Sequence, residues 1–168
     1  QAVLAVKSGM VETALAVGVE KMTDQTGTSV TRALATGLDT DYEMMQGLTM
    51  AGIGALMMRR YMYEHGVELA DFAGFSVNAH ANGVDNPLAM FRNRLKAEHF
   101  TSAPLVADPV SIFDMAPLAD GAAAVIVTSR ERAMDLVPQP IGIIGSAIAT
   151  ETFALHDRRD LLWLKAAE

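Results

Sequence analysis

The chain has 168 residues, of which 51% are hydrophobic, and a net charge of −7. This length allows one domain with a sizeable core, and the acidic balance argues against a nucleic-acid surface, which needs clustered Lys and Arg. The absence of cysteine excludes a disulfide scaffold and a thiolate metal site within this chain. No apolar run reaches the roughly 18 residues of a membrane span, and a cytoplasmic location is expected.

The first 40 residues alternate between helix and strand patterns. Residues 1–8 fit a helix that ends at Ser8-Gly9. Glu12–Gly18 is an apolar run typical of a buried parallel strand. Residues 23–40 are rich in Thr, Gly and Asp and predict a loop with one helical turn near Thr31–Ala35.

Two longer helices are predicted in the middle of the chain. The first covers about 42–64, is capped by Asp39 and Asp41, and ends at His65-Gly66. The second covers about 67–83, where apolar residues recur at helical spacing, and the Asp-Asn-Pro sequence at 85–87 ends it.

The last part of the chain predicts a buried strand and several short elements. Asp120-Gly121 has the chemistry of a tight turn, and Ala122–Val127 after it reads as a strand whose alanines let a helix or a ligand come close. The other elements are an extended piece at 89–92, a helical turn at 96–101, a helix at 130–136, a strand at 141–149 and an amphipathic helix from about His156. This order favours an α/β fold with a parallel or mixed sheet.

Polar residues do not form a catalytic or metal-binding motif in this sequence. The four histidines, at positions 65, 80, 99 and 156, have no spacing typical of metal ligands, although His80 could project into a cleft. The charged run Asp157–Asp160 is interpreted as a helix cap with surface ion pairs. No catalytic residue and no metal ligand are assigned.

Methionine is unusually frequent between Met44 and Met62. One interpretation is a buried helix that uses Met as an adaptable filler, and this interpretation is favoured. The other is a pliable wall for a flexible acyl chain or thioester. The residues alone therefore indicate an α/β chain with an apolar cleft.

Several stretches resemble the thiolase family. "SGMVETALAVGVEKMTD" (Ser8–Asp24) is similar to the segment that follows the nucleophile helix, and Ala107–Ser129, with "ADGAAAVIVTS", to the strand that returns from the loop domain. Gly145–Ala167 resembles the entry to the second half of the fold. Asn78–Asn93, "NAHANGVDNPLAMFRN", resembles the loop domain of the archaeal-type and sterol-carrier-type branch.

The resemblance implies a five-layer αβαβα fold built from two similar halves, usually in a homodimer or homotetramer. The chain would then be an internal fragment. Residues 1–40 would end the N-terminal half, 41–107 would form the loop domain, 108–138 would return to the N-terminal half, and 139–168 would begin the C-terminal half.

The family transfers acyl groups between a cysteine thiolate and coenzyme A (CoA). The resemblance therefore implies Claisen condensation of acetyl-CoA or thiolysis of a 3-ketoacyl-CoA, with a CoA thioester as substrate and no bound cofactor. It places the nucleophilic Cys just before Gln1, and the acid–base His and second Cys beyond Glu168. The 168-residue chain alone would then be inactive.

The resemblance also implies which residues line the CoA site. Met115, Ala116 and Pro117 would lie beside the pantetheine tunnel, and Gln46 and Gly47 are further candidates. Relatives often have Cys-Ser where this chain has Met115-Ala116, so one hydrogen bond to CoA would be lost here.

Two alternatives remain open. One is a non-catalytic thiolase-like subunit that acts as a binding or scaffold partner, since archaeal-type thiolases can associate with a small zinc-ribbon and OB-fold protein. The other is a thiolase-like retro-aldolase, which needs no nucleophilic Cys. A Cys at the expected position before Gln1 would favour the transferase.

Overall fold

The computed structural model describes residues 1–164, which form two compact units. The first unit consists of Gln1–Asp24 and Ala119–Ala149, and the second of Gln25–Leu118 and the segment from Thr150 onward. The described residues contain helices α1 (Ala2–Lys7), α2 (Gly27–Ala35), α3 (Met50–His65), α4 (Ala73–Val84), α5 (Ala97–Thr101) and α6 (Arg130–Leu136), and strands β1 (Thr13–Glu20), β2 (Leu105–Ala107), β3 (Val110–Ser111) and β4 (Gly121–Thr128).

The first unit is built on an antiparallel pair of strands. β1 and β4 pair in register from Thr13 opposite Thr128 to Glu20 opposite Gly121, and α1 packs against both strands. The predicted end of α1 is confirmed, because Ser8 caps it and Gly9 adopts a φ of 73° that favours glycine.

The prediction of parallel strands buried on both faces is wrong for this pair. The pairing is antiparallel, and the apolar side chains of both strands are largely exposed; Val19, for example, is 71% exposed. Apolar composition predicts that a strand forms but does not determine its direction, which depends on how the chain returns from the second unit.

Asp120 has a different role from the one predicted. Gly121 is the first residue of β4 rather than part of a tight turn. The Asp120 carboxylate accepts hydrogen bonds from the backbone N–H groups of Met22 (2.8 Å) and Thr23 (3.0 Å) and from the Thr23 hydroxyl (2.6 Å). These bonds hold the pKa of Asp120 below its ordinary value, and the bond from the Thr23 hydroxyl has the largest effect on that pKa.

The second unit begins with a helix where a loop was predicted. α2 covers nine residues, Gly27–Ala35, rather than one turn, and Thr26 caps it by accepting a hydrogen bond from the Ser29 backbone N–H (3.3 Å). Burial of Val30 and Ala35 provides the tertiary packing that outweighs the poor helix propensity of Gly and Thr.

α3 begins at Met50 rather than at residue 42. A 3₁₀-helix, Met44–Gln46, precedes it and ends at Gly47, whose φ of 85° stops the helix. Thr49 then caps α3 by accepting a hydrogen bond from the Gly52 backbone N–H (3.1 Å). The interpretation of this segment as a buried helix is wrong in part, because many of its side chains are exposed and its buried residues are Ala51 and Ala55.

The second predicted helix is divided in two. A 3₁₀-helix, Leu69–Phe72, carries a reciprocal cap between Glu68 and Asp71, and α4 follows directly. Two predicted helix ends are confirmed. Gly66, with a φ of 63°, caps the end of α3, and Asp85 caps the end of α4.

The remaining elements are confirmed in part. α5 and α6 lie where the sequence predicts them, whereas the hairpin of β2 and β3 was not predicted. Residues 89–92 and 141–149 form no strand. In place of the predicted terminal helix, the described residues after His156 contain bends that follow a 3₁₀-helix, Leu155–Asp157; residues 165–168 lie outside the described range.

Phe100, which is 0% exposed, is the largest fully buried side chain of the described core.

Candidate functional site

A compact polar turn precedes the predicted CoA-binding residues. Ser111 is fully buried, and its backbone N–H and its hydroxyl both donate to the same oxygen of Asp114, at 2.7 and 2.9 Å. The Ser111 hydroxyl also accepts a hydrogen bond from the Phe113 backbone N–H (3.2 Å). Because each of these groups is paired, the turn from Ser111 to Asp114 has a defined conformation.

Helix α4 anchors this turn through two side chains. The buried Ser76 hydroxyl donates to the Phe113 carbonyl (2.8 Å), and the ring of His80 meets the Phe113 ring edge-on at 5.8 Å between centroids. His80 Nδ1 lies 3.0 Å from the Asn93 carbonyl oxygen. His80 therefore packs on the turn and bonds the segment before α5.

Met115, Ala116 and Pro117 follow this turn directly and lie at the surface of the second unit. Met115 is 39% exposed, and its two neighbours are also exposed. Within residues 1–164, neither the backbone N–H groups of Met115 and Ala116 nor the carbonyls of the three residues take part in a hydrogen bond, and Pro117 has no backbone N–H. The segment thus offers free donors and acceptors to a ligand, although its position in a CoA site stays a prediction.

Gln46 and Gly47 lie in the turn between the 3₁₀-helix and α3. The side chain of Gln46 donates to the Asp41 carbonyl (3.4 Å), and Gly47 takes the left-handed conformation. Within the described residues, no hydrogen bond joins this turn to Met115, Ala116 or Pro117. A shared role of the two segments also stays a prediction.

A buried carboxylate holds the turn that carries Gln46 and Gly47. Glu43 is 4% exposed, and its two oxygens accept hydrogen bonds from the backbone N–H of Asp39 (2.9 Å) and from that of Leu155 (2.7 Å). The sequence analysis did not identify Glu43, and its partner Leu155 lies 112 residues away. No local pattern signals such a contact.

A second feature that the sequence analysis missed is an open cavity of about 800 Å³ beside α3. Arg60 and Glu64 of α3 line it on one side, and Arg158, Arg159 and Trp163 line it on the other. The only signal in the sequence was the charged run at 157–160, which was interpreted as local surface pairing. Among residues 1–164, no cluster of three or more His, Asp or Glu side chains could hold a metal ion, and no helix is long and apolar enough to cross a membrane.

Known proteins resemble this chain over nearly its whole length. It is 40% identical, over 98% of its residues, to the acetyl-CoA acetyltransferase of Methanothermobacter thermautotrophicus, and 32% identical, over 95% of its residues, to benzoylsuccinyl-CoA thiolase subunit BbsB of Thauera aromatica. The chain belongs to the thiolase family. No protein-family model matches it.

A solved structure shows that this thiolase-family chain also shares its fold with a known protein. The Ltp2-ChsH2(DUF35) aldolase matches 97% of the chain with a TM-score of 0.74 at 24% sequence identity. The mixed α/β fold class is therefore confirmed. The chain spans 42% of the archaeal relative, 41% of the Thauera relative and 43% of the solved chain.

Proposed function

We propose that the whole protein is an acyl-CoA acyltransferase that condenses acetyl-CoA or cleaves a 3-ketoacyl-CoA with CoA. The observation that carries this proposal is the 40% identity, along 98% of the chain, to a protein named acetyl-CoA acetyltransferase. The chain itself has no cysteine. In the proposed reaction, the nucleophilic thiolate therefore comes from residues outside these 168.

The contribution of this chain is a wall for the CoA thioester. Free backbone groups at Met115 to Pro117 suit the amide groups of a pantetheine arm, and the anchored turn before them keeps the segment in place. Gln46 and Gly47 are proposed to contribute from the turn before α3. The CoA thioester is a substrate here, and no bound cofactor is proposed.

The decisive experiment incubates the whole protein with acetoacetyl-CoA and free CoA and measures the formation of acetyl-CoA. Alkylation of cysteine with iodoacetamide should abolish turnover, because the acyl group must pass through a thiolate. Absence of both thiolysis and acetyl-CoA condensation would remove the transferase proposal.

A retro-aldolase is the second candidate, and it is favoured by a relative from Thermomonospora curvata, named steroid side-chain-cleaving aldolase, that is 34% identical over 55% of the chain. A retro-aldol reaction cleaves a 3-hydroxyacyl-CoA and uses no cysteine nucleophile. Cleavage of such a substrate that survives iodoacetamide would replace the transferase by the aldolase. Absence of both activities would favour the non-catalytic binding or scaffold subunit.

A partner protein is proposed on similar grounds. The solved aldolase has two named components, Ltp2 and ChsH2(DUF35), and this supports an assembly with a second protein, such as the small zinc-ribbon and OB-fold protein that the family resemblance implies. Light scattering of the purified protein would measure the proposed homodimer or homotetramer. Co-purification from the source organism would identify a second chain.

A further inference from the structure

The open cavity beside α3 combines arginine side chains with an exposed indole ring. It measures about 800 Å³ and lies within the second unit, between the last turns of α3 and residues 151–163. Trp163 on its wall is 49% exposed, so its ring can contact a ligand. None of the residues proposed for the CoA wall lines this cavity, and its ligand is therefore inferred from the chemistry of its own residues.

The arginines of the cavity differ in how far other described residues already engage them. Arg60 forms an ion pair with Glu64, one turn along α3. Arg158 donates its Nε–H to the Thr152 carbonyl (3.3 Å), and its two terminal nitrogens form no hydrogen bond in the described part of the chain. Arg159 is exposed and forms neither a hydrogen bond nor an ion pair with any described residue. Two guanidinium groups can therefore bind an anion.

The carboxylates on the cavity wall limit the charge of that anion. Glu64, Glu151 and Asp160 line the cavity together with the three arginines, so the formal charges balance. A single negative charge can pair with the two available guanidinium groups, whereas Glu151 and Asp160 would repel each further charge on the ligand. A carboxylate carries one charge, and its two oxygens match the planar fork of a guanidinium group. The cavity therefore favours a carboxylate over a dianionic phosphate.

A mostly apolar hollow of about 630 Å³ adjoins this cavity and shares Arg60 and Leu161 with it. Leu56, Tyr63 and Leu155 also line the hollow. The Tyr63 side chain is 84% exposed, and an apolar ligand that covers it would remove apolar surface from water, which is favourable. A ligand that fills both spaces therefore joins one carboxylate to an apolar chain.

We propose that the cavity and the adjoining hollow together bind a carboxylic acid with an apolar chain. Arg158 and Arg159 hold the carboxylate, Trp163 contacts the start of the chain, and the hollow takes the rest of it. This site follows from the cavity residues and does not depend on the proposed acyl transfer. The carboxylate belongs either to a free acid or to the far end of an acyl group in a thioester, and the chemistry of recognition is the same for both.

The test of the charged end measures binding of decanoate to the whole protein by isothermal titration calorimetry. Arg159→Gln should raise the Kd about tenfold, the loss expected for one charge-assisted hydrogen bond. Arg159→Lys keeps the charge but not the fork and should raise the Kd less. Arg94→Gln, at an exposed arginine that lines neither space, is the matched control and should leave the Kd unchanged.

The apolar end is tested by Tyr63→Ala, which should raise the Kd for decanoate about fivefold, because the chain loses its contact with the ring. Phe75→Ala is the control, since Phe75 is also an exposed aromatic residue and lines neither space. Both side chains are exposed, so both variants should melt at the wild-type temperature.

Three further ligands separate charge, chain and choice of anion. Decanol lacks the charge and acetate lacks the chain, so each should bind at least about tenfold more weakly than decanoate. Decanol that binds as tightly as decanoate, or decanoate that binds equally tightly to Arg159→Gln and wild type, would overturn the inference. Acetate as tight as decanoate would overturn the role of the hollow, and decyl phosphate tighter than decanoate would overturn the choice of a carboxylate.

Kinetics distinguish the two sources of the carboxylate, and this part of the test alone rests on the proposed function. If the carboxylate belongs to the acyl group, Arg159→Gln should raise the KM for a 3-ketoacyl-CoA with a terminal carboxylate and leave it unchanged for the same chain without one. Two unchanged KM values together with weaker decanoate binding would assign the site to a free acid. A KM that rises equally for both substrates would contradict a carboxylate site. A protein without acyl transfer that still binds decanoate through Arg159 would retain this site and lose the proposed function.

Discussion

Replacement of Glu43 by Gln tests how the turn with Gln46 and Gly47 is held. Glu43 is buried, and each of its carboxylate oxygens accepts one backbone N–H, from Asp39 at 2.9 Å and from Leu155 at 2.7 Å. Glutamine has nearly the same shape but offers one oxygen and one NH₂ group. One of the two backbone N–H groups would then face another donor.

The size of the effect follows from these two bonds. An unsatisfied buried donor costs about 1–3 kcal/mol, and the loss of the negative charge weakens the remaining bond, so Glu43→Gln should destabilise the second unit by about 2–4 kcal/mol. Glu43→Ala removes both acceptors and should cost more. Glu98→Gln is the control, because the Glu98 side chain is exposed and its pair with Lys96 (3.6 Å) should contribute less than about 1 kcal/mol.

Amide hydrogen exchange is the assay that reports on these bonds directly. In Glu43→Gln, the backbone amides of Asp39 and Leu155 should lose protection by roughly thirtyfold or more, which corresponds to about 2 kcal/mol. Urea unfolding should show a lower midpoint with an unchanged slope. Protection of both amides at the wild-type level would refute the argument that Glu43 bridges the two segments.

Three further predictions concern one titrating group, one core residue and one proposed site residue. The hydrogen bonds of the Thr23 hydroxyl and two backbone N–H groups lower the pKa of Asp120, so its stabilising effect is present above the ordinary pKa of 3.8 and is lost as the pH falls through the lowered value. Asp120→Asn should therefore melt at a lower temperature than wild type at pH 7, with a gap that narrows below pH 3.8; a gap of constant size would contradict this reasoning. Phe100→Ala should cost about 3–5 kcal/mol in urea unfolding, whereas Phe75→Ala, at a residue that is 78% exposed, should change little; equal losses would contradict the assignment of the core. Ala116→Leu in the whole protein should raise the KM for CoA by about tenfold through steric overlap, and an unchanged KM would remove this residue from the proposed wall.

Local signals account for the elements that were predicted correctly. The start of α6 follows from Ser129, whose hydroxyl accepts a hydrogen bond from the Arg132 backbone N–H (3.3 Å) in the first turn. The ends of α1 and α3 follow from Gly9 and Gly66, which adopt positive φ. Each of these signals acts within a few residues, so it can be identified in the sequence alone.

The predictions were wrong for elements whose conformation depends on contacts with residues distant in the sequence. Residues 141–149 are rich in β-branched side chains but form no strand, because a strand requires a neighbour and none pairs with them in the described part of the chain. α2 was predicted as a loop because its propensity is poor, and the burial of Val30 and Ala35 explains why it is helical.

The sequence by itself determined the α/β class, the family and the turn residues that end several elements, since these depend on short patterns or on similarity along the chain. Only the tertiary structure decided that β1 and β4 are antiparallel, that Glu43 bonds Leu155, and that Arg60 shares a cavity with Trp163. The physical reason is that such contacts join residues remote in sequence. Their geometry depends on the packing of the whole unit, which no local pattern encodes.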